Sequence, residues 1–179
     1  ESCTFGKINV SKLPSFDLEY IFLKIRSKAV GEKVTLNLPF PGDENVKIPT
    51  KVDLSKVEVH MAEEHTNKID LTDEVSVVMR YPTIKTFGGI KVTNLTADDA
   101  VEMTSRCIHQ VINGVETFEA ADLSKEDKSE FIENLTQDQF AKIQQFFTTM
   151  PKLSHTVTLT HPKTKKKAKY KLEGMQSFF

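Results

Sequence analysis

Apolar residues recur along this chain with two periods, and the switches between them mark out its elements. The clearest run is Thr136–Pro151. Phe140, Ile143, Phe147 and Met150 recur at intervals of three, four and three, which is one face of a helix, and Phe146 widens that face. Thr136 and Gln139 have the spacing of a capping box, and Pro151 lacks the N–H that another turn would need. Another helix is predicted over 16–29, with Ser15 as N-cap, Leu18, Ile21, Phe22 and Ile25 as its buried stripe, and Gly31 just beyond its end. Asp17 and Glu19 lie near its start and Lys24, Arg26 and Lys28 toward its end, as the helix dipole favours.

After Gly31 the period falls to two. Val34, Leu36 and Leu38 alternate with polar residues over Lys33–Phe40, a half-buried strand. Pro41–Asn45 is a turn cluster, Val46–Ile48 a return strand, and Val52, Leu54, Val57 and Val59 a further extended piece interrupted near Ser55. His60–Lys68 reads as a polar loop and Val75–Arg80 as another strand. Connections this short cannot carry crossover helices, so a small, mostly antiparallel sheet is expected.

Beyond a loop at Thr83–Thr93, centred on Gly88-Gly89, a second helix is predicted from the Thr96/Asp99 capping box to Gly114. Ala100, Met103, Cys107, Ile108, Val111 and Ile112 form its apolar side. Val115–Ala120 reads as a short strand. Ser124 with Asp127 caps a third helix near 125–134, where Phe131, Ile132 and Leu135 face inward. After the Thr136 helix, His155–Thr160 and Lys167–Leu172 form a hairpin across His161–Lys166. The predicted fold class is α+β, with small mostly antiparallel sheets, about four helices and a C-terminal β-hairpin. The expected domains are 1–92, a helix plus antiparallel β region, and 93–179, a helical region ending in the basic hairpin.

Composition narrows the class without naming a function. With 179 residues, 39% hydrophobic and 27% charged, the chain can bury a core and has the make-up of a soluble globular protein. No apolar run approaches the roughly 18 residues of a membrane span. Glu1 begins no basic-then-apolar signal segment, and the missing initiator Met implies that an upstream part has been removed or left out. Two widely spaced cysteines, Cys3 and Cys107, fit a reduced cytosolic protein. Asn94-Leu-Thr and Asn134-Leu-Thr match glycosylation sequons, but both overlap helix caps and no secretory feature accompanies them.

A net charge of −1 argues against a general nucleic-acid binder, yet the charge is segregated. Glu116–Asp138 holds eight acids and two lysines, whereas Lys152–Glu173 holds seven lysines and one acid. These are either two solvated faces or a pair of complementary docking patches.

No catalytic residue, cofactor site or metal site emerges. His60 and His65 flank Glu63 and Glu64, but without the spacing that sets two imidazoles on one helix face with a base between them, so a solvated loop explains them. Cys107 and His109, two apart on a helix, do not face each other, and Cys107 reads as a small core hydrophobe. Gly88-Gly89-Ile90-Lys91 lacks the spacing of a phosphate loop and reads as a bend. The run Lys163, Lys165, Lys166 and Lys167 could meet phosphate, but only Tyr170 accompanies it, and it equally suits a tip that discourages edge pairing. Phe178 and Phe179 read either as an anchor inserted in a partner or as a pair folded back on its own core.

Four segments together resemble one family, the T4-type bacteriophage baseplate hub and hub-assembly proteins. They are residues 13–32 (LPSFDLEYIFLKIRSKAVGE), 77–82 (VVMRYP), 146–153 (FFTTMPKL) and 172–179 (LEGMQSFF), in the family's order. The resemblance implies a structural or assembly-factor role in the tail baseplate hub, with no enzymatic activity and no obligatory cofactor. It implies other hub proteins as partners, with nucleic acid and membrane unlike such a role and a homo-oligomer compatible with it. It places the protein in the host cytoplasm during assembly and in the virion tail baseplate. Two departures are visible. Relatives generally carry a further N-terminal region before the segment seen here. Some also carry Cys-x-x-Cys pairs at two hairpin turns, which here read PFPGDE (39–44) and THPKTK (160–165), so a zinc clip does not carry over.

The expected partner contact comprises Lys163, Lys165, Lys166, Lys167, Phe178 and Phe179. Three competing functions remain open: an assembly chaperone absent from the mature virion, a tail-associated cell-wall hydrolase, and a nucleic-acid binder using the basic hairpin. The hydrolase would need a carboxylate pair in a cleft, and Glu63 and Glu64, adjacent, would point apart on a strand.

Overall fold

In the computed structural model, residues 6–88 and 96–179 are described. The chain forms two compact units, one of residues 1–8, 16–60 and 151–179 and the other of residues 9–15 and 61–150. The boundary expected between residues 92 and 93 falls outside the described residues, as do Cys3 and the Asn94 sequon. The fold is α+β, and every strand pairing is antiparallel.

The first unit is built on helix α1 (Ser15–Val30) and two small sheets. Strands β1 (Lys33–Phe40) and β2 (Asp43–Asp53) form a hairpin across Pro41-Gly42, where φ of +88° at Gly42 suits a residue without a Cβ. The return strand is thus much longer than the Val46–Ile48 expected. Asp53 then accepts a hydrogen bond from the Ser55 N–H and caps a 3-10 turn (Leu54–Lys56), which redirects the chain. Strand β3 (Glu58–His60) consequently joins a different sheet, beside β8 (Lys152–Thr160) and β9 (Lys167–Glu173). Pairing with β3 also starts β8 earlier than the alternation alone indicated. Leu23, Leu38, Val52, Leu54, Val57, Leu153, Leu159, Leu172 and Phe178 make the core.

The second unit holds a four-stranded sheet in the order β4 (Lys68–Asp70), β5 (Val75–Met79), β6 (Ile108–Asn113), β7 (Glu116–Glu119), with helices α2 (Ala97–Cys107), α3 (Lys125–Glu133) and α4 (Gln137–Thr149). Its core joins Val77, Met79, Cys107, Ile108, Val111, Ile132, Ile143 and Phe146. All three predicted capping boxes form, at Thr96/Asp99, Ser124/Asp127 and Thr136/Gln139. Helix α4 stops before Pro151 as expected.

Three expectations are corrected. The second helix does not run to Gly114, because α2 ends at Cys107 and the next residues become β6. Ile108, Val111 and Ile112 are β-branched, and pairing with β5 supplies the backbone partners that a helix would have supplied internally. Gly114, at φ +59°, opens a two-residue hairpin turn between Asn113 and Glu116. The expected single sheet over residues 33–80 is instead shared among three sheets. Finally, α1 buries Phe16, Leu23 and Ser27, whereas of the expected stripe Leu18 and Ile21 are half-buried and Phe22 and Ile25 are exposed. The helix is apolar on two faces, and the buried Ser27 satisfies its hydroxyl within the helix by donating to the Lys24 carbonyl at 2.8 Å.

Candidate docking surfaces

The unburied face of α1 forms the first surface. Phe22 is 52% exposed and Ile25 lies beside it at 38%. At the other end of the unit, Gly174 at φ +71° starts a 3-10 turn (Met175–Phe178) that separates the two final phenylalanines. Phe178 is fully buried among Leu23, Leu153 and Leu172, so it folds back on its own core. Phe179 is 55% exposed and its ring centroid lies 6.2 Å from that of Phe22. The Arg26 guanidinium sits 5.0 Å from the Phe179 centroid, over the negative face of the ring. Two phenylalanines, an isoleucine and an arginine therefore share one exposed patch. The sequence signal for it was available, since α1 carries more apolar residues than one face can bury.

The second surface is the tip of the β8–β9 hairpin. His161 is 5% exposed and organises the tip from beneath. Its Nδ1 accepts hydrogen bonds from the backbone N–H groups of Lys163 (3.2 Å) and Thr164 (3.1 Å). An accepting Nδ1 puts the proton on Nε2, which faces an Asp43 carboxylate oxygen at 3.5 Å. The Phe40 ring meets the imidazole edge-on at 5.0 Å. Bonds from His161 N–H to Lys166 C=O and from Lys165 N–H to His161 C=O close the loop, with Lys165 at φ +59°. Lys163, Lys165, Lys166 and Lys167 are all exposed on this fixed frame. Sequence reasoning missed His161 because its partner Asp43 is 118 positions away.

The structure does not assemble the residues expected to be chemically suspect. Cys107 is buried, and desolvation pushes its thiol up to about 12, so no thiolate forms near neutrality. His109 lies exposed on β6. His65 sits among Tyr81, Phe146 and Thr149. Thr149 donates its hydroxyl proton to Gln145 C=O, so it accepts from His65 Nδ1–H at 2.9 Å, leaving Nε2 to accept from the Tyr81 hydroxyl at 3.0 Å. That is a neutral, satisfied imidazole, and burial holds its pKa below the ordinary histidine value. Among the described residues no three His, Cys, Asp or Glu side chains gather as a metal site.

Two of the hollows in the second unit bear on possible chemistry. One of about 320 Å³ is lined by Arg80, Lys85 and Arg106, but its guanidiniums are already engaged. Arg106 donates to the carbonyls of Thr86 and Gly88 and to Glu102, and Arg80 donates twice to the Arg106 carbonyl. The other, about 300 Å³, is apolar and lies among Val75, Ile108, Val111, Phe118, Leu123 and Phe131. Neither brings a nucleophile and a base together.

The aromatic patch and the basic tip are exposed features of the described residues, and the sequence matches one family model over its whole length. The family model described as T4 bacteriophage base plate protein matches residues 1–179. The chain belongs to that family. Membership gives it a structural role in the phage baseplate, fits a location in the virion tail, and implies other baseplate proteins as its neighbours. No curated protein and no solved structure matches the chain. Among the described residues, no helix is long and apolar enough to cross a membrane.

Proposed function

We propose that this baseplate protein is a component or assembly factor of the tail hub and acts by non-covalent docking to other hub subunits, without catalysis. The observation that carries this reading is the exposed Phe22–Ile25–Arg26–Phe179 patch. Aromatic and arginine side chains dominate binding energy at protein interfaces, where they sit centrally and exclude water. A monomer that had no partner would gain by turning such a face inward or replacing it with polar residues. The basic hairpin tip supplies the second part of the contact, with Lys163, Lys165, Lys166 and Lys167 at its rim, where charges steer approach and fix register.

Co-purification from infected cells tests it. The protein carrying Phe22→Ser and Phe179→Ser should recover hub subunits at least about tenfold less well than the unaltered chain, as expected for losing aromatic anchors. Equal recovery would overturn the patch as the docking surface. Mass spectrometry of mature particles separates a retained hub component from an assembly chaperone that leaves.

A further inference from the structure

The outward face of the β8–β9 hairpin is a lysine ladder with, among the described residues, a single acidic partner. Lys167, Lys169 and Lys171 alternate along β9 and are exposed. Directly across the pairing lie Thr160, Thr158 and Thr156, also exposed. Cross-strand acids would be the ordinary way to neutralise such a row, since like charges on one face of a strand repel. Here the opposite strand offers only hydroxyls, and among the described residues Lys171 alone of the three has an acidic partner, Glu173 at 2.7 Å. The result is a flat strip with short side chains on one rail and cations on the other.

Helix α3 carries the inverse feature. Glu126, Glu130 and Glu133 are exposed and fall at intervals of four and three, so they line one side of the helix. Ile132 and Phe131 face the core on the other side. Among the described residues none of the three glutamates has a cationic partner. The nearby lysines are otherwise occupied, Lys125 with Glu102 at 2.7 Å and Lys128 with the Ala120 carbonyl at 3.2 Å. Local physics disfavours this arrangement. Glu126 suits the first turn, but Glu130 repels it one turn on, and Glu133 lies at the helix end where the dipole favours a cation and no basic residue is present. A row that works against its own helix points to a role outside it.

We propose that α3 of one copy lies across the Thr/Lys strip of a second copy, Glu126, Glu130 and Glu133 facing Lys167, Lys169 and Lys171. The dimensions agree. Alternate side chains on a strand repeat about every 7 Å, and residues four apart on a helix about every 6 Å. Three teeth therefore span about 14 Å on the strand and about 10 Å on the helix, within reach of flexible lysines. The threonine rail leaves room for the helix to approach. Made reciprocally between two copies, the contact closes a twofold dimer; made in one direction only, its repetition closes a ring or extends a filament. Nucleic acid is the other class of polyanion that a lysine row attracts. The acidic row on the same chain disfavours it and favours self-association. The inference does not depend on the hub assignment: of its residues only Lys167 also belongs to the hairpin tip, and the partner is a different one.

Sedimentation velocity on the full chain tests it. The unaltered protein should self-associate with micromolar affinity at low salt and dissociate as salt rises. Lys167→Glu with Lys169→Glu should weaken association at least about tenfold, as should Glu126→Lys with Glu130→Lys, with circular dichroism unchanged for both. Mixing the two variants should restore association, because each supplies the row the other has reversed. A monomeric unaltered protein at about 100 µM and low salt, or a mixture that stays monomeric, overturns the proposal. Salt-sensitive binding of a double-stranded DNA oligonucleotide by a protein that remains monomeric overturns it in favour of nucleic acid.

Discussion

The two units bury cores of similar character by opposite routes along the chain. The core of the second unit draws on residues 61–150, a continuous stretch in which capped helices and hairpin-linked strands follow one another. The first unit closes only when residues from both ends of the chain meet, with β3 pairing β8 and Phe178 packing with Leu23. Closing long loops before their contacts form is entropically unfavourable. The unit whose core comes from one stretch is therefore expected to fold first, and the other to depend on residues near Phe178. The exposed aromatic patch lies in the unit expected to close last.

The largest effect expected is at the closing residue. Phe178→Ala removes a fully buried ring and should destabilise by about 3–5 kcal/mol. Hydrogen exchange should then show lost protection in β8 and β9, with β5 and β6 retained. Phe146→Ala in the second unit removes a ring that is equally well packed, against His65, Tyr81 and Phe147, and should cost a similar amount. Its exchange signature should be reversed, appearing first in β5, β6 and α4. Uniform loss across both units in either variant would show that they unfold as one, and the contrast would be gone.

A smaller effect separates local from long-range control. Thr136→Ala removes the side-chain acceptor for the Gln139 N–H and should cost about 1 kcal/mol by thermal unfolding. That cap was legible because Thr136, Gln139 and the apolar face all fall within one short window. The same holds for the other two capping boxes. It fails where the decision is made by distant partners. Met103, Cys107 and Val111 keep helical spacing through the point where α2 gives way to β6, and only the β5 pairing forces the change. In α1 periodicity selected the stripe at Leu18, Ile21, Phe22 and Ile25, whereas Leu23, on the other face, is the residue that packs into a core made by residues distant in sequence. Phe178 and Phe179 are chemically identical neighbours, and only the turn after Gly174 sends one inward. The lysine alternation on β9 was visible in the sequence, but the threonines opposite it appear only once the register is known.

Acid should weaken the second unit through His65. Burial lowers its pKa in the folded state, so between that value and the ordinary value near 6.5 the unfolded chain binds more protons than the folded one. Stability is therefore intact above the unfolded pKa and falls as pH drops below it. The slope should shrink in His65→Gln, which keeps hydrogen-bonding capacity without titrating. Melting temperatures measured from pH 7 to pH 5 check this. An unchanged slope in the variant would mean that other groups govern the acid response.

The smallest change in stability is expected at Phe179, and that is what makes it informative. Its ring keeps a tilted contact with Phe22 and lies against Arg26, but it is 55% exposed, and such surface contacts contribute on the order of 0.5–1 kcal/mol. Phe179→Ser should therefore melt within a few degrees of the unaltered protein, whereas Phe178→Ala should not. If the patch docks a hub subunit, the order inverts in a binding measurement on folded protein, because removing an interfacial aromatic anchor typically costs 2 kcal/mol or more, about thirtyfold in affinity. A Phe179→Ser chain that is stable but fails to bind would assign the ring to recognition. One that is unstable would assign it to the core with its neighbour, and the patch would lose its main anchor.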